Sequence, residues 1–222
     1  MPNFVRTRIT FEVSESKRKK ILDFVKGDKS VFDFNKIIPC PESIEKAVEC
    51  SDVHEAAIKW MKETPCDITD NEGLEKLLRI GSVYKAEHVR TGINNLLRFK
   101  IYGWYDWNCK FWGTKWNACD PNIDDYGNII FETAWSAPVP IYKALSQRFP
   151  EVEFNIVYAD EDTGYNCGII VAKGGELSLE QYDGGSKESY DIAFDVWPED
   201  KSSYRLVDGE YKYIEDEEDE EI

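Results

Sequence analysis

Apolar and polar residues alternate at the start of the chain. Every second residue from Val5 to Val13 is apolar or threonine, and charged or polar residues stand between them. This period of two is typical of a β-strand with one buried face. Ser14 or Ser16 can cap a helix after this strand, and Gly27 ends that helix.

The second half of the chain shows the same strand signal several times. Ser136 can cap a helix that Pro150 ends, and Gly174-Gly175 predicts a tight hairpin. A less regular stretch follows Gly184. The predicted strands cover residues 129–134, 152–159, 168–172 and 177–182. Together with the N-terminal strand, this order predicts an α+β fold, an antiparallel sheet with helices packed on one face.

The middle of the chain has helical patterns. Asp52 with Glu55, and Thr69 with Glu72, form capping boxes that each predict the start of a helix. A further helix is predicted through His88. The first half of the chain is therefore mainly helical.

Positive and negative charges are segregated along the chain. Residues 1–118 carry 20 basic and 17 acidic side chains, whereas residues 119–222 carry 7 basic and 26 acidic ones. Seven of these acids form the uninterrupted run from Glu215 to Glu221, which is typical of a solvated tail. The remaining negative charge falls on predicted folded structure, and such a surface repels nucleic acid and attracts basic partners.

The residues that carry most protein chemistry give no catalytic or metal pattern. Six cysteines include no Cys-x-x-Cys pair, and the sequence has two histidines. Polar and apolar residues alternate at the N-terminus, whereas a signal peptide would have a continuous apolar stretch there. No apolar run reaches the roughly 18 residues that a membrane span requires. We therefore expect a cytoplasmic protein with reduced thiols, without cofactor, metal site or enzymatic activity.

Tryptophans are concentrated between residues 104 and 135. Several recur at the spacing of one helical face, which suits either a buried core or a pocket that stacks a planar ligand at about 1–3 kcal/mol per base. Both interpretations stay open. The candidate ligand-binding residues are Trp104, Trp107, Trp112, Lys115, Trp116 and Trp135.

Several longer strings resemble the YubB-type family of bacteriophages, prophages and conjugative plasmids. They cover much of residues 1–183 and include Met1-Pro2-Asn3, the proline-containing segment 32–42, the run from Trp104 to Ala118, and Phe131 to Pro138. The resemblance implies a ferredoxin-like C-terminal domain and an origin in a mobile element of a bacterial host. It implies no established activity.

Pattern and resemblance together predict three parts. Residues 1–118 form a mainly helical region that contributes an edge or central strand to the sheet. Residues 119–200 form the ferredoxin-like domain, and residues 201–222 form an acidic, disordered tail.

Three functions stay open at this point. The preferred one is a non-enzymatic interaction protein that binds a basic host protein, with interference with host defence as a setting. The second is the binding of a nucleotide or other small planar ligand in a pocket lined by the tryptophans. The third is nucleic-acid binding through the basic N-terminal helix at Lys17 to Lys20, which the acidic second half disfavours. The candidate partner-binding residues are Asp160, Glu161, Asp162, Glu215, Asp216, Glu217 and Glu218.

Overall fold

The chain forms two compact units in a computed structural model that describes residues 2–47, 54–56, 58, 59, 79 and 86–214. Met1–Ile38 and Trp112–Ile222 form one unit, the sheet unit, and Pro39–Phe111 form the other, the helical unit. The division therefore differs from the predicted boundary at residue 118. The N-terminal strand and helix belong with the sheet, and the helical unit is inserted after them.

The sheet unit contains all the strands among the described residues. Its helices are α1 (Glu15–Val25), α2 (Phe34–Ile37), α6 (Val139–Arg148) and α7 (Lys187–Val196), with a 3-10 helix at Pro198–Ser203. Its strands are β1 (Phe4–Thr10), β2 (Cys119–Ile123), β3 (Ile129–Ala134), β4 (Glu153–Asp160), β5 (Gly168–Lys173), β6 (Glu176–Gln181), β7 (Tyr204–Val207) and β8 (Glu210–Tyr213).

The main sheet has six antiparallel strands in the order β2-β3-β1-β4-β5-β6. β1 lies in its centre, where Thr7 pairs with Phe131 of β3 on one side and Tyr158 of β4 on the other. The predicted strands are thus confirmed in position and direction. The N-terminal segment is a central strand because β1 pairs with β3 along one edge and with β4 along the other.

One face of the sheet is apolar and is covered by α6. Val5, Thr7 and Ile9 are each 0% exposed on this face. The Tyr142 hydroxyl of α6 shares a 2.8 Å hydrogen bond with the Thr7 hydroxyl, and burial raises the pKa of Tyr142 well above its usual value. α1 packs beside α6 through the rings of Phe24 and Phe149, whose centroids are 5.5 Å apart.

The opposite face is covered by α7, a helix that the sequence pattern did not indicate. Ser186 caps it by accepting a hydrogen bond from the Ser189 amide at 3.1 Å. Ala193 and Val196 of α7 pack with Ala159, Cys167 and Trp197 in one buried cluster. The prediction that helices pack on one face of the sheet therefore holds for α1 and α6 only. Helix α7 packs on the opposite face, so the sheet has helices on both faces.

The prediction of a disordered tail from residue 201 is wrong for residues 204–213. These residues form the hairpin β7–β8, with Tyr204 paired with Tyr213. Aromatic rings explain the order, because Tyr204 and Tyr211 lie 5.2 and 5.5 Å from the Tyr190 ring of α7. The prediction of disorder relied on the acidic composition of the tail and did not consider these tyrosines. The acidic run from Glu215 to Glu221 lies outside the described residues.

The helical unit is built around aromatic residues. Its described elements are α3 (Glu42–Glu45), α4 (Ala86–Phe99), α5 (Trp104–Trp107) and a π-helical segment, Asn108–Trp112, that runs into the sheet unit. Ile44, Ile101 and Trp107 form a buried cluster. The Asn95 amide ties it together by donating to the Ser43 and Tyr102 carbonyls at 2.8 and 3.1 Å.

The two capping boxes fall mostly outside the described residues, at Asp52, Thr69 and Glu72. The predicted helix through His88 is confirmed by α4. In the described part of the chain, no helix combines the length and apolar character that crossing a bilayer requires.

Candidate binding surfaces

The predicted aromatic site is divided between the two units. Trp104 and Trp107 belong to the helical unit, whereas Trp112, Lys115, Trp116 and Trp135 belong to the sheet unit. Within each unit the rings have different exposures and different partners.

The two tryptophans of the helical unit contribute to its core. Trp107 is 8% exposed, and its ring centroid lies 4.1 Å from that of Phe111. Trp104 is half-buried and packs against the same cluster. Burial of a large ring contributes a few kcal/mol to folding, which accounts for helical spacing without a ligand.

Trp112 has a structural role in the sheet unit. It is 4% exposed, its indole N–H donates to the Ile38 carbonyl at 2.9 Å, and its ring lies 5.7 Å from that of Phe34. Gly113 follows with φ of +81°, and a Cβ there would lie 2.7 Å from Cδ of Pro140. Glycine is therefore required where the chain leaves the buried indole and turns toward the surface.

A half-buried lysine, Lys115, lies between two indoles shortly after this glycine. Nζ of Lys115 is 4.7 Å from the ring centroid of Trp116 and 5.0 Å from that of Trp135. Trp116 is half-buried, and Trp135 is 48% exposed. We call Lys115, Trp116 and Trp135 the indole surface. Each such cation–π contact contributes about 0.5–1 kcal/mol at an exposed position.

The backbone of Trp135 holds this ring at the surface in a strained conformation. Its φ is +66°, in the left-handed region that costs an aromatic residue about 1–2 kcal/mol. The Trp135 amide donates to the Asn3 carbonyl at 2.8 Å, and its carbonyl accepts from the Asn166 side chain at 3.2 Å. These two hydrogen bonds fix the conformation, and strain of this kind is common at functional positions.

Asp160, the first predicted partner-binding residue, is committed to internal bonding. It is 5% exposed, and its carboxylate accepts from the side chains of Asn3 and Asn166 at 3.1 and 3.0 Å and from the Asp162 amide at 2.9 Å. This network shapes the turn after β4. The next two residues of the turn, Glu161 and Asp162, are exposed.

The turn after β4 lies beside the segment that leads into α7. The Gly185 amide donates to the Gly164 carbonyl at 3.0 Å. Asp183 and Glu188 are exposed on this segment. We call Glu161, Asp162, Asp183 and Glu188 the acidic surface. None of these four forms an ion pair with a residue in the described ranges.

Burial is the main cause that raises the pKa of two tyrosines near the acidic surface, and the surface carboxylates add to it. Burial, followed by neighbouring tyrosines and Asp162, raises the pKa of Tyr190. Burial, a hydrogen bond with Glu180 and the charge of Glu188 raise the pKa of Tyr182.

Basic residues from the N-terminal segment neutralise part of the acidic second half. Arg6 pairs with Glu132 at 3.0 Å and with Glu199 at 2.7 Å, and Arg8 pairs with Asp195. These pairs lie on the face of the sheet that α7 covers. The predicted acidic surface is therefore narrower than the whole region after residue 118.

Most of the basic side chains from Lys17 to Lys20 in α1 already have partners within the protein. Lys17 pairs with Glu151, and Lys19 pairs with Asp23 at 2.9 Å. Arg18 donates to the carbonyls of Gly127 and Phe11 at 3.2 and 3.0 Å and stacks over the Phe11 ring. Three of the four basic side chains from Lys17 to Lys20 thus serve the fold, which disfavours a phosphate-binding role.

The sheet unit contains a polar cleft of about 510 Å³ that sequence patterns did not predict. The segments that line it are far apart in the chain, so only the tertiary structure brings them together. Its lining residues are Thr10, Phe11, Glu12, Arg18, Tyr126, Asn128, Glu153 and Asn155.

Three of the four described thiols, those of Cys40, Cys119 and Cys167, are poorly suited to nucleophilic chemistry. Burial and the charge of Glu45 raise the pKa of Cys40 to about 12. Burial, with the charges of Asp120 and Glu132, raises the pKa of Cys119, and burial raises that of Cys167. These cysteines are protonated near neutral pH, whereas the thiolate is the reactive form.

The protein has an α+β fold with a ferredoxin-like sheet. Residues 111–220 match the family model described as "Ferredoxin-like domain in Api92-like protein", so the predicted ferredoxin-like fold is confirmed. Among solved structures, the crystal structure of a protein api92 from Yersinia pseudotuberculosis is similar, with 10% sequence identity and a TM-score of 0.44. The match covers 83% of this chain and 99% of that chain. No curated protein matches this sequence.

Proposed function

We propose that this protein is a non-enzymatic binding protein whose acidic surface takes a basic macromolecular partner. The observation that carries the proposal is the exposure of Glu161, Asp162, Asp183 and Glu188 without cationic partners in the described ranges. Among the described residues, ion pairs engage six other carboxylates of the second half: Glu132, Glu151, Glu153, Asp191, Asp195 and Glu199. The charge of the acidic surface is therefore available to an approaching molecule.

The physical basis is electrostatic steering. Like charges placed together raise the local negative potential, which increases the encounter rate with a cationic surface. Screening limits this attraction to about 8 Å at physiological ionic strength. Binding is therefore expected to weaken steeply as salt is added.

The absence of catalysis is part of the proposal. It is supported by the raised pKa values of Cys40, Cys119 and Cys167, which keep these thiols protonated. We further propose a bacteriophage or other mobile element as the source, the bacterial cytoplasm as the location and a host protein as the partner. The resemblance to the YubB-type family supports this setting, in which inhibition of host defence is a useful activity.

Affinity capture from a bacterial lysate tests the proposal. The wild-type protein is expected to retain a basic protein at about 0.1 M salt and to release it at about 0.5 M. A variant with Glu161→Lys and Asp162→Lys is expected to lose it. A control with Asp125→Lys and Glu210→Lys makes the same change in net charge elsewhere on the surface. Equal capture by all three proteins would contradict the proposal.

The indole surface favours a second candidate function, the binding of a small planar anion such as a nucleotide. Trp135 is half-exposed and held in a strained conformation, and Lys115 supplies a positive charge between two rings. Titration with AMP, GMP, CMP and UMP is expected to quench tryptophan fluorescence in the wild type but less in Trp135→Ala. Trp104→Phe serves as the control, because it removes an indole from the other unit. Absence of quenching and of any shift in melting temperature would exclude this candidate for these nucleotides.

A further inference from the structure

The two edges of the six-stranded sheet differ in their capacity to receive another strand. At the β2 edge, Pro121 lacks an amide donor, Asp120 has φ of +44°, and the register shifts between Cys119 and Asn122. Proline and irregular register are the devices that protect edge strands from pairing. This edge is therefore closed to regular addition of a strand.

The β6 edge has a regular backbone. It pairs with β5 at six consecutive positions, from Lys173 opposite Glu176 to Gly168 opposite Gln181, and contains no proline. In the described part of the chain, no strand pairs with its outer side. The hydrogen-bonding groups on that side are therefore available for a further strand.

The hairpin between β5 and β6 determines which backbone groups point outward. Gly174 and Gly175 form a two-residue loop with φ of +58° and +89°, so Lys173 and Glu176 close it as a hydrogen-bonded pair. Along β6, residues whose amide and carbonyl point toward β5 then alternate with residues whose amide and carbonyl point away from it. The amides and carbonyls of Leu177, Leu179 and Gln181 consequently point away from β5.

The side chains of β6 divide into two chemical types on the two faces of the sheet. Leu177 is half-buried and Leu179 is 51% exposed on the face that α6 covers. Glu176 and Glu180 are exposed on the opposite face. A strand placed beside β6 would thus meet leucines on one face and carboxylates on the other.

We propose that β6 receives an extended segment of a partner, with alternating basic and apolar residues, as a seventh strand of the main sheet. This inference rests on the proposed function and specifies how the basic partner docks. Backbone hydrogen bonds to residues 177, 179 and 181 supply affinity, and the alternating side chains supply specificity. The chain runs from Glu180 through Tyr182 to Asp183, so the β6 edge is contiguous in sequence with the acidic surface.

Charge complementarity selects a basic partner over a second copy of this chain. In an antiparallel pair of β6 strands with Ser178 opposite Ser178, Glu176 of each copy would lie opposite Glu180 of the other. Like charges opposite each other in a sheet are destabilising, whereas opposite charges stabilise by roughly 0.2–1 kcal/mol per pair. Lysine or arginine at alternate positions of the incoming segment satisfies both glutamates.

A synthetic peptide with seven alternating lysines and valines tests the inference by calorimetry. Leu179→Pro removes one outward amide without removing a hydrogen bond to β5, and it is expected to weaken peptide binding roughly tenfold. Leu179→Ala keeps that amide and is the matched control, expected to change binding by much less. A peptide of the same composition with its lysines and valines in two blocks is expected to bind more weakly than the alternating one.

N-methylated peptides provide a second measurement that does not depend on how Leu179→Pro folds. Methylation of all the valine amides or of all the lysine amides blocks one edge of the peptide at a time. One set is expected to abolish binding and the other to preserve it, because a docked strand uses one edge. Strand addition would be wrong if both sets of methylated peptides bound equally well. It would also be wrong if the peptide with its lysines and valines in two separate blocks bound as tightly as the alternating peptide.

The failure of this inference can be distinguished from failure of the proposed function. If Leu179→Pro binds the alternating peptide like the wild type, whereas Glu161→Lys with Asp162→Lys abolishes binding, the basic partner docks on the acidic surface alone. Strand addition at β6 is then wrong, and the proposed function stands. If the wild type binds no basic peptide at low salt, strand addition is wrong and the capture experiment decides the function.

Discussion

The two faces of β1 show two ways in which one strand holds a sheet together. Val5, Thr7 and Ile9 are completely buried under α6, where apolar contact and one hydroxyl pair provide the stability. Arg6 and Arg8 point to the other face and bind α7 and the segment after it. The stability of the first face rests on burial and involves no charged side chain near neutral pH. The second face depends on charges that pH and salt modify.

The largest expected effect is on the apolar face. Ile9→Ala removes a completely buried side chain and is expected to lower the free energy of unfolding by about 2–5 kcal/mol. Urea denaturation followed by circular dichroism measures this loss. Ile9→Val, which removes one methyl group, is the control and is expected to cost about 0.5–1.5 kcal/mol. A loss for Ile9→Ala no larger than for Ile9→Val would contradict the assignment of Ile9 to the core.

A smaller effect is expected from the buried hydroxyl pair on the same face. Tyr142→Phe leaves the Thr7 hydroxyl unpaired and is expected to cost about 1–3 kcal/mol. The double variant with Thr7→Val removes both polar groups and is expected to recover most of that loss. A double-mutant cycle in urea reports the coupling, and strictly additive losses would argue against the bond.

The ionisation of Tyr142 gives the apolar face a pH dependence at high pH only. Its folded pKa is raised by burial, so the protonated form is favoured in the folded state. The corresponding stability is present below the unfolded pKa of about 10 and is lost as pH rises above it. Denaturation midpoints at pH 8 to 11 should fall less for Tyr142→Phe than for the wild type.

On the charged face, Arg6→Ala is expected to cost about 1–2 kcal/mol. The side chain pairs with Glu132 and Glu199 and stacks on the Trp197 ring at 3.5 Å. Because the guanidinium is about one-fifth exposed, solvent reduces the contribution of the ion pairs. Thermal unfolding at about 0.05 and 0.5 M salt checks this, since high salt should reduce the difference between wild type and variant. A difference that does not change with salt would assign the effect to stacking.

The smallest expected effect is on the outer side of α7. The hydrogen bond from Lys187 and then that from Tyr211 hold the pKa of Asp191 below its usual value. A lowered carboxyl pKa stabilises the fold above the unfolded pKa of about 4, and this stability is lost as pH falls. For a surface pair, the loss in Asp191→Asn at pH 7 is expected to be under about 1 kcal/mol. Melting temperatures at pH 7 and pH 3 measure it, and the wild type and variant should converge at pH 3.

The sequence carried much of this fold in local patterns. The alternation around β1 and the double glycine before β6 predicted a strand and a hairpin because both depend on neighbouring residues. Helix α7 was missed although Ser186 could have served as a capping signal, since the preceding glycines suggested irregular structure. The hairpin β7–β8 was missed because its order comes from tyrosines that reach α7 across the chain.

The candidate sites were less accessible from the sequence than the fold. Helical spacing brought Trp104 to Trp112 into one predicted site, yet the structure assigns them to two units and buries Trp107 and Trp112. Asp160 was indistinguishable in sequence from Asp162, and only the amides of Asn3 and Asn166 around it make it structural. A carboxylate's role depends on its neighbours in space.

The sequence by itself determined that this chain folds as α+β, with strands of alternating character and a ferredoxin-like C-terminal part. It also determined that negative charge is concentrated after residue 118. The tertiary structure decided that β1 lies at the centre of the sheet, which carboxylates Arg6 and Arg8 neutralise, and which edge of the sheet stays regular. Periodicity is a property of adjacent residues, so a sequence displays it directly. Pairing and exposure depend on residues that are distant in the chain, and only folding brings these together.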